Sequence, residues 1–158
     1  MVRRNPAAAI CSGFAAVLFF ILSTALASSP VISPTAQSQE REATAEKFVG
    51  HALQVWQDRL NLKDWNVRVE LVRPTALEPR TLGNIHWNTD TRQATIDVLS
   101  AYDYTLPYPE MLSDMELTVV HELVHLHLAS LPRTDATRGN EEYVVNQISR
   151  ALLSLSKR

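Results

Sequence analysis

From Ala45 onward, Phe48, Val49, Ala52, Leu53, Trp56 and Leu60 recur at three- and four-residue spacing. One apolar stripe of this kind predicts a helix of about four turns. Val67, Val69 and Leu71 then alternate with Arg68 and Glu70 as far as Pro74, the period-two pattern of a half-buried strand. Leu82 to Trp87 and Gln93 to Leu99 flank the polar run Asn88 to Arg92, which suits a hairpin loop, so a small antiparallel sheet is expected. After a break at Pro107 to Pro109, Ser113-Asp114-Met115-Glu116 has the form of a capping box and predicts a helix running to about Leu128. Leu131 to Asn140 reads as a polar turn region. Glu141 then opens a last helix with Val144, Ile148, Ala151, Leu152 and Leu155 on one stripe. The order of these elements describes an α+β domain.

The N-terminal part has a different pattern. Arg3 and Arg4 precede a run without charge from Ala7 to Ala27 that ends in Ala25-Leu26-Ala27. This predicts that residues 1–27 are a signal peptide or, if uncleaved, an N-terminal membrane anchor. Residues 28–39, rich in Ser, Pro and Gln, read as a flexible linker, and residues 40–158 as the folded domain. The protein is thus expected to be secreted or periplasmic, touching a membrane only through its N-terminal segment. Cys11, the one cysteine, lies inside that segment, so neither a disulfide nor a Cys-zinc site is available to the domain. With 158 residues, 46% of them hydrophobic, there is material for one core. A formal net charge of −2 offers no basic excess for a phosphate backbone, and nucleic acid is not an expected partner.

His121-Glu122-Leu123-Val124-His125 lies within the predicted second helix, the fifth element, and carries the chemistry. Histidines four residues apart share a helix face, so both imidazoles can bind one Zn²⁺. Glu122 is placed to act as general base toward water at that metal. A catalytic zinc needs a third protein ligand. Leu128 and Leu131 stand where a metzincin needs Gly and His, and a deformylase-type cysteine ligand is missing. The remaining candidates are acidic: Glu142, which has Asn146 one turn later as an orienting amide, its neighbour Glu141, and, ranked last, Asp135.

On His121, Glu122, His125, Glu142 and Asn146, in that order, the chain resembles the gluzincin metallopeptidases, and its short preceding sheet resembles that of the very small minigluzincins. The resemblance implies a zincin-like fold and a zinc held by His121, His125 and Glu142. It further implies peptide or protein substrates aligned along a sheet edge such as Gly83 to Trp87, and a Tyr or His that stabilises the oxyanion. Tyr102, Tyr104, Tyr108 and His86 are candidates for that last role, and spacing does not select among them. His127, two residues past His125, is expected to point away from the metal face, and His51 to be an ordinary helix residue. The expected activity is therefore zinc-dependent peptide hydrolysis. A non-catalytic zinc-containing envelope module and a hydrolase of a non-peptide amide bond are the alternatives.

Overall fold

The computed structural model describes residues 34–132 and 134–156, and the readings made on residues 1–33 lie outside the described residues. Three helices and a three-stranded sheet follow in the order α1 (Pro34–Arg59), β1 (Asn66–Val72), β2 (Gly83–Asn88), β3 (Gln93–Leu99), α2 (Tyr108–His127) and α3 (Asp135–Ser156), with α1 and α2 packed on the sheet and α3 packed on α2. The architecture is α+β. Among the described residues no helix is long and apolar enough to cross a membrane.

α1 keeps the predicted stripe, burying Val49, Leu53 and Trp56. It begins earlier than the stripe, so Pro34 to Gln39, which read as linker from composition, are helical. α2 is the central element, packed against α1, α3 and the sheet. Met111, Met115, Val119, Val120 and Leu123 are fully buried along it.

The sheet is mixed rather than antiparallel, with strand order β1-β3-β2. β2 and β3 form the expected hairpin, closed by Asn88, whose Oδ1 accepts from the Asp90 and Thr91 backbone N–H groups at 2.9 and 3.0 Å. β1 instead pairs with β3 in parallel, Val67, Val69 and Leu71 standing beside Ala94, Ile96 and Val98. A period-two pattern reads alike in both directions, so alternation located β1 without giving its direction. The apolar face of β3, Ala94, Ile96 and Val98, lies in the core, while Arg68, Glu70, Thr95 and Asp97 occupy the other face.

Both helix starts in the C-terminal half differ from expectation. α2 begins at Tyr108 with Pro107 as its N-cap and a proline in its first turn, so Ser113 is an interior residue. Its Oγ donates to the Pro109 carbonyl at 3.1 Å instead of capping. Proline's fixed φ suits a helix's first turn, where its missing N–H costs nothing. Glu116, the other half of the supposed box, accepts the Trp56 indole N–H at 2.9 Å. α3 begins at Asp135, its first turn closed by the Arg138 N–H to the Thr134 carbonyl at 3.1 Å, so much of the predicted turn region is helix.

The phase of α3 is the larger correction. Its fully buried residues are Val145 and Ser149, while Val144, Ile148 and Leu155 of the predicted stripe are exposed. The inward side of α3 combines apolar packing by Val145, Leu152 and Leu153 with polar contacts from Glu141, Glu142 and Asn146 to α2, so Leu152 is the one large residue of the predicted stripe that is not exposed.

Candidate metal centre

One turn of α2 sets His121 and His125 edge to face, with ring centroids 4.7 Å apart and Nε2 atoms 3.0 Å apart. α3 brings Glu142 to both: Oε2 is 3.3 Å from His121 Nε2, and Oε1 is 3.2 Å from His125 Nε2. The potential ligand atoms of these three residues all lie within 4.8 Å of one another. His125 also meets Glu141, whereas His121 hydrogen-bonds Asn146, further along α3, so the two helices run antiparallel past each other.

The second ring nitrogen of His125 decides its chemistry. Nδ1 lies 2.8 Å from Glu141 Oε1. A carboxylate only accepts, so the proton of the neutral ring belongs on Nδ1, and Nε2 presents its lone pair to His121 and Glu142. The adjacent acidic residues are thereby sorted: Glu142 faces the Nε2 atoms, and Glu141 orients a histidine from behind. Asp135, the third candidate, opens α3 almost two turns before Glu142.

Burial, reinforced by the nearby His125, lowers the His121 pKa from 6.5 against the opposing pull of Glu142 and Asn146. The neutral, lone-pair-bearing imidazole is therefore favoured, the form that a cation requires. Two imidazole lone pairs and a carboxylate converging without a positive charge among them are a donor set that fits a divalent cation of zinc's type.

Glu122 is 6% exposed and lies beside this cluster, against the edge strand. A Cβ on Gly83 would stand 3.6 Å from Glu122 Oε1, but only 2.4 Å from Thr118 Cγ2 and 2.7 Å from the Asp97 carbonyl oxygen. Glycine is thus required where β2 crosses α2. A lone glycine within a strand is a sign of such close approach, though only the fold shows what approaches.

α2, α3 and β2 enclose a cleft of about 930 Å³, lined by His121, Glu122, His125 and Glu142 together with Gly83 to Trp87. Of the four proposed oxyanion donors, His86 is the one that lines it. The Tyr104 hydroxyl donates to Asp114 Oδ2 at 3.0 Å, and burial with the adjacent Asp114 charge raises its pKa far above 10.0. Tyr108 packs against the core beneath the Arg41 guanidinium, and Tyr102 is exposed. His127 does point away, its Nε2 2.7 Å from the Leu60 carbonyl oxygen, and His51 is exposed on α1. Trp56 and Trp65 are core residues, whereas Trp87 lines the cleft.

The sequence offered Glu141 only as a rival ligand and Gly83 only as the start of a sheet edge, and Arg150 on the cleft wall was not singled out. The signal for Arg150 was the series Glu142, Asn146, Arg150 at four-residue steps, which places all three on one face of α3. Compared with family models, curated proteins and solved structures, the chain matches none.

Proposed function

We propose that the protein is a zinc-dependent metallopeptidase of zincin-like fold, with His121, His125 and Glu142 as the metal ligands. The observation that carries this reading is the convergence of those three side chains beside a buried Glu122 on the wall of one cleft. Bound there, zinc supplies Lewis acidity, polarising a substrate carbonyl and lowering the pKa of water.

The chain's own residues do the rest. Glu122 accepts a proton from the attacking water at its carboxylate and delivers it to the departing amine. A purely structural zinc site has no use for that base, so its place beside the ligands favours hydrolysis over a binding module. Glu141 holds the His125 ring in its ligating tautomer. β2, at the end of the sheet order, has one edge free of strand partners among the described residues, and it offers backbone groups to an extended peptide. In this reading residues 1–27 direct export, and the substrates are peptides or proteins outside the cytoplasm.

The test is zinc content and peptide hydrolysis in the wild type, Glu122→Gln and His125→Ala. The wild type and Glu122→Gln are expected to hold about one zinc per chain and His125→Ala much less. Hydrolysis of a mixed peptide panel is expected to fall by ~10²–10⁴-fold in Glu122→Gln. Folded, metal-supplemented wild type without zinc would overturn the reading. Zinc-loaded protein that cleaves cell-wall amides but no peptide would move it to the non-peptide class.

A further inference from the structure

The face of α3 that supplies Glu142 continues in both directions. Arg138, Glu142, Asn146 and Arg150 follow one another at four-residue steps, and all four line the cleft. Its two terminal arginines differ. Arg138 is held across the cleft by Glu78, at 3.3 Å to each carboxylate oxygen. Arg150 has no carboxylate within ion-pair distance among the described residues. Asp114, the acidic residue on the α2 wall in the direction in which α3 runs, already accepts the Tyr104 hydroxyl at 3.0 Å. On the α3 wall, therefore, one end is closed by an ion pair and the other carries a cation without a carboxylate partner among the described residues; Arg80, the remaining arginine of the cleft, stands on the opposite loop beside Glu78.

Helix geometry sets the reach of that cation. Eight residues separate Arg150 from Glu142, ~12 Å of rise. Side chains on a helix tend to lean toward its N-terminus, which from Arg150 is the direction of Asn146 and the His121–His125–Glu142 cluster. An extended peptide advances ~3.3 Å per residue, so a group two or three residues from the reacting carbonyl comes level with the guanidinium. A planar guanidinium beside a peptide groove is matched by a carboxylate, which it binds through paired N–H donors.

We propose that Arg150 is the specificity residue of this site and binds a substrate carboxylate two or three residues to the leaving-group side of the scissile bond. The carboxylate is either the free C-terminus of a short peptide or an acidic side chain in a longer one. This deepens the metallopeptidase reading and rests on it.

The probes are three short peptides bearing an N-terminal hydroxamate that binds zinc, titrated calorimetrically into the zinc-loaded full chain. One ends in a free acid, one in an amide, and one is the amide with a glutamate at its second residue. The amide probe is expected to bind wild type, Arg150→Gln and Arg80→Gln alike. Arg80 lines the cleft from the loop that carries Glu78 and serves as the control cation. Wild type and Arg80→Gln are expected to favour at least one carboxylate probe by roughly tenfold or more, and Arg150→Gln to lose that preference. The preferred probe identifies the source of the carboxylate. Equal affinity for all three probes in the wild type overturns the assignment, as does a preference that survives Arg150→Gln or vanishes in Arg80→Gln. Failure of the amide probe to bind zinc-loaded wild type is a different result: it overturns the metallopeptidase reading, and the role of Arg150 falls with it.

Discussion

α2 and α3 each carry part of one site, but they are held in opposite ways. α2 buries ten residues, including Glu122 and His125, between α1, the sheet and α3. α3 fully buries Val145 and Ser149, leaves Val144, Ile148 and Leu155 exposed, and presents a Glu142 side chain that is 45% exposed. Apolar burial of roughly 25 cal/mol per Å² therefore fixes His121, Glu122 and His125 independently of any cation. The docking of α3 combines the apolar contacts of Val145, Leu152 and Leu153 with the polar pairs His125–Glu141, His121–Glu142 and His121–Asn146. The arrangement of His121, Glu122 and His125 on α2 is built into the core, whereas Glu142 stands on a helix with fewer buried residues.

Metal removal tests this contrast most directly. A cation at 1,000 times its dissociation constant stabilises the state it binds by ~4 kcal/mol. Stripping zinc is expected to lower amide hydrogen-exchange protection in the first half of α3 by up to ~10³-fold, with α2 from Met115 to Val124 little changed. Equal loss in the two helices would show that they open as one unit and would break the comparison.

The two adjacent glutamates of α3 give the next effect. Glu142→Ala is expected to reduce zinc affinity more than Glu141→Gln, because the first deletes a ligand and the second weakens the partner of the His125 Nδ1. Loss of such an orienting partner costs ~10–100-fold in affinity. Competition titrations with a chelator rank the two variants, and the reverse order would return the ligand role to Glu141.

On the α2 side the sensitive position is Gly83. An added Cβ would fall 2.4 Å from Thr118 Cγ2, and β2 would have to move away from α2. Gly83→Ala is expected to cost ~1–3 kcal/mol in urea unfolding, as overpacking does. Adding Thr118→Ser removes Cγ2 and keeps the hydroxyl bonded to the Asp114 carbonyl. Only partial recovery is expected, since the Asp97 carbonyl oxygen remains 2.7 Å away. Full recovery would mean that the helix contact alone demands the glycine.

What could be read in the sequence follows the same division. His121, Glu122 and His125 sit on a helix whose own spacing fixes their relation, and the structure adds only what lies opposite them. The β2–β3 hairpin was equally local, set by Asn88 and its turn. The direction of β1, the rotation of α3 and the need for glycine at Gly83 all depend on partners distant in the chain. α3 misled most, because two overlapping apolar stripes were open to it: Val145 and Leu152 reach the core, while Val144, Ile148 and Leu155 are exposed, and only its contacts to α2 distinguish the two. Its start was hidden by a polar run, and the start of α2 by prolines that look like a break but suit a first turn.

The smallest expected effect lies behind α2, in the sheet, and separates the two regions by being blind to metal. Asp97 of β3 is held mostly out of water on the polar face, with Glu70 beside it and Asn84 opposite. Burial raises its pKa from 3.8, and Glu70 adds to the rise against the opposing effect of His86. The folded state thus binds the Asp97 proton more tightly than the unfolded chain does, so this residue's contribution to stability is present below pH 3.8 and is lost as pH rises through the folded value. Among the described residues, buried Asn84 Oδ1 has no hydrogen-bond donor, and an ionised Asp97 has none to give. Asp97→Asn removes the charge and supplies an N–H toward that oxygen, at the scale of about 1 kcal/mol or less for one net hydrogen bond. Urea midpoints of the two proteins are expected to coincide below pH 3.8 and to separate in the variant's favour at neutral pH. The gain is expected to be the same in zinc-free and zinc-loaded protein, because the sheet and α2 are fixed by the core. A gain that appears only with zinc bound would mean that the sheet, like α3, takes its final position from the metal.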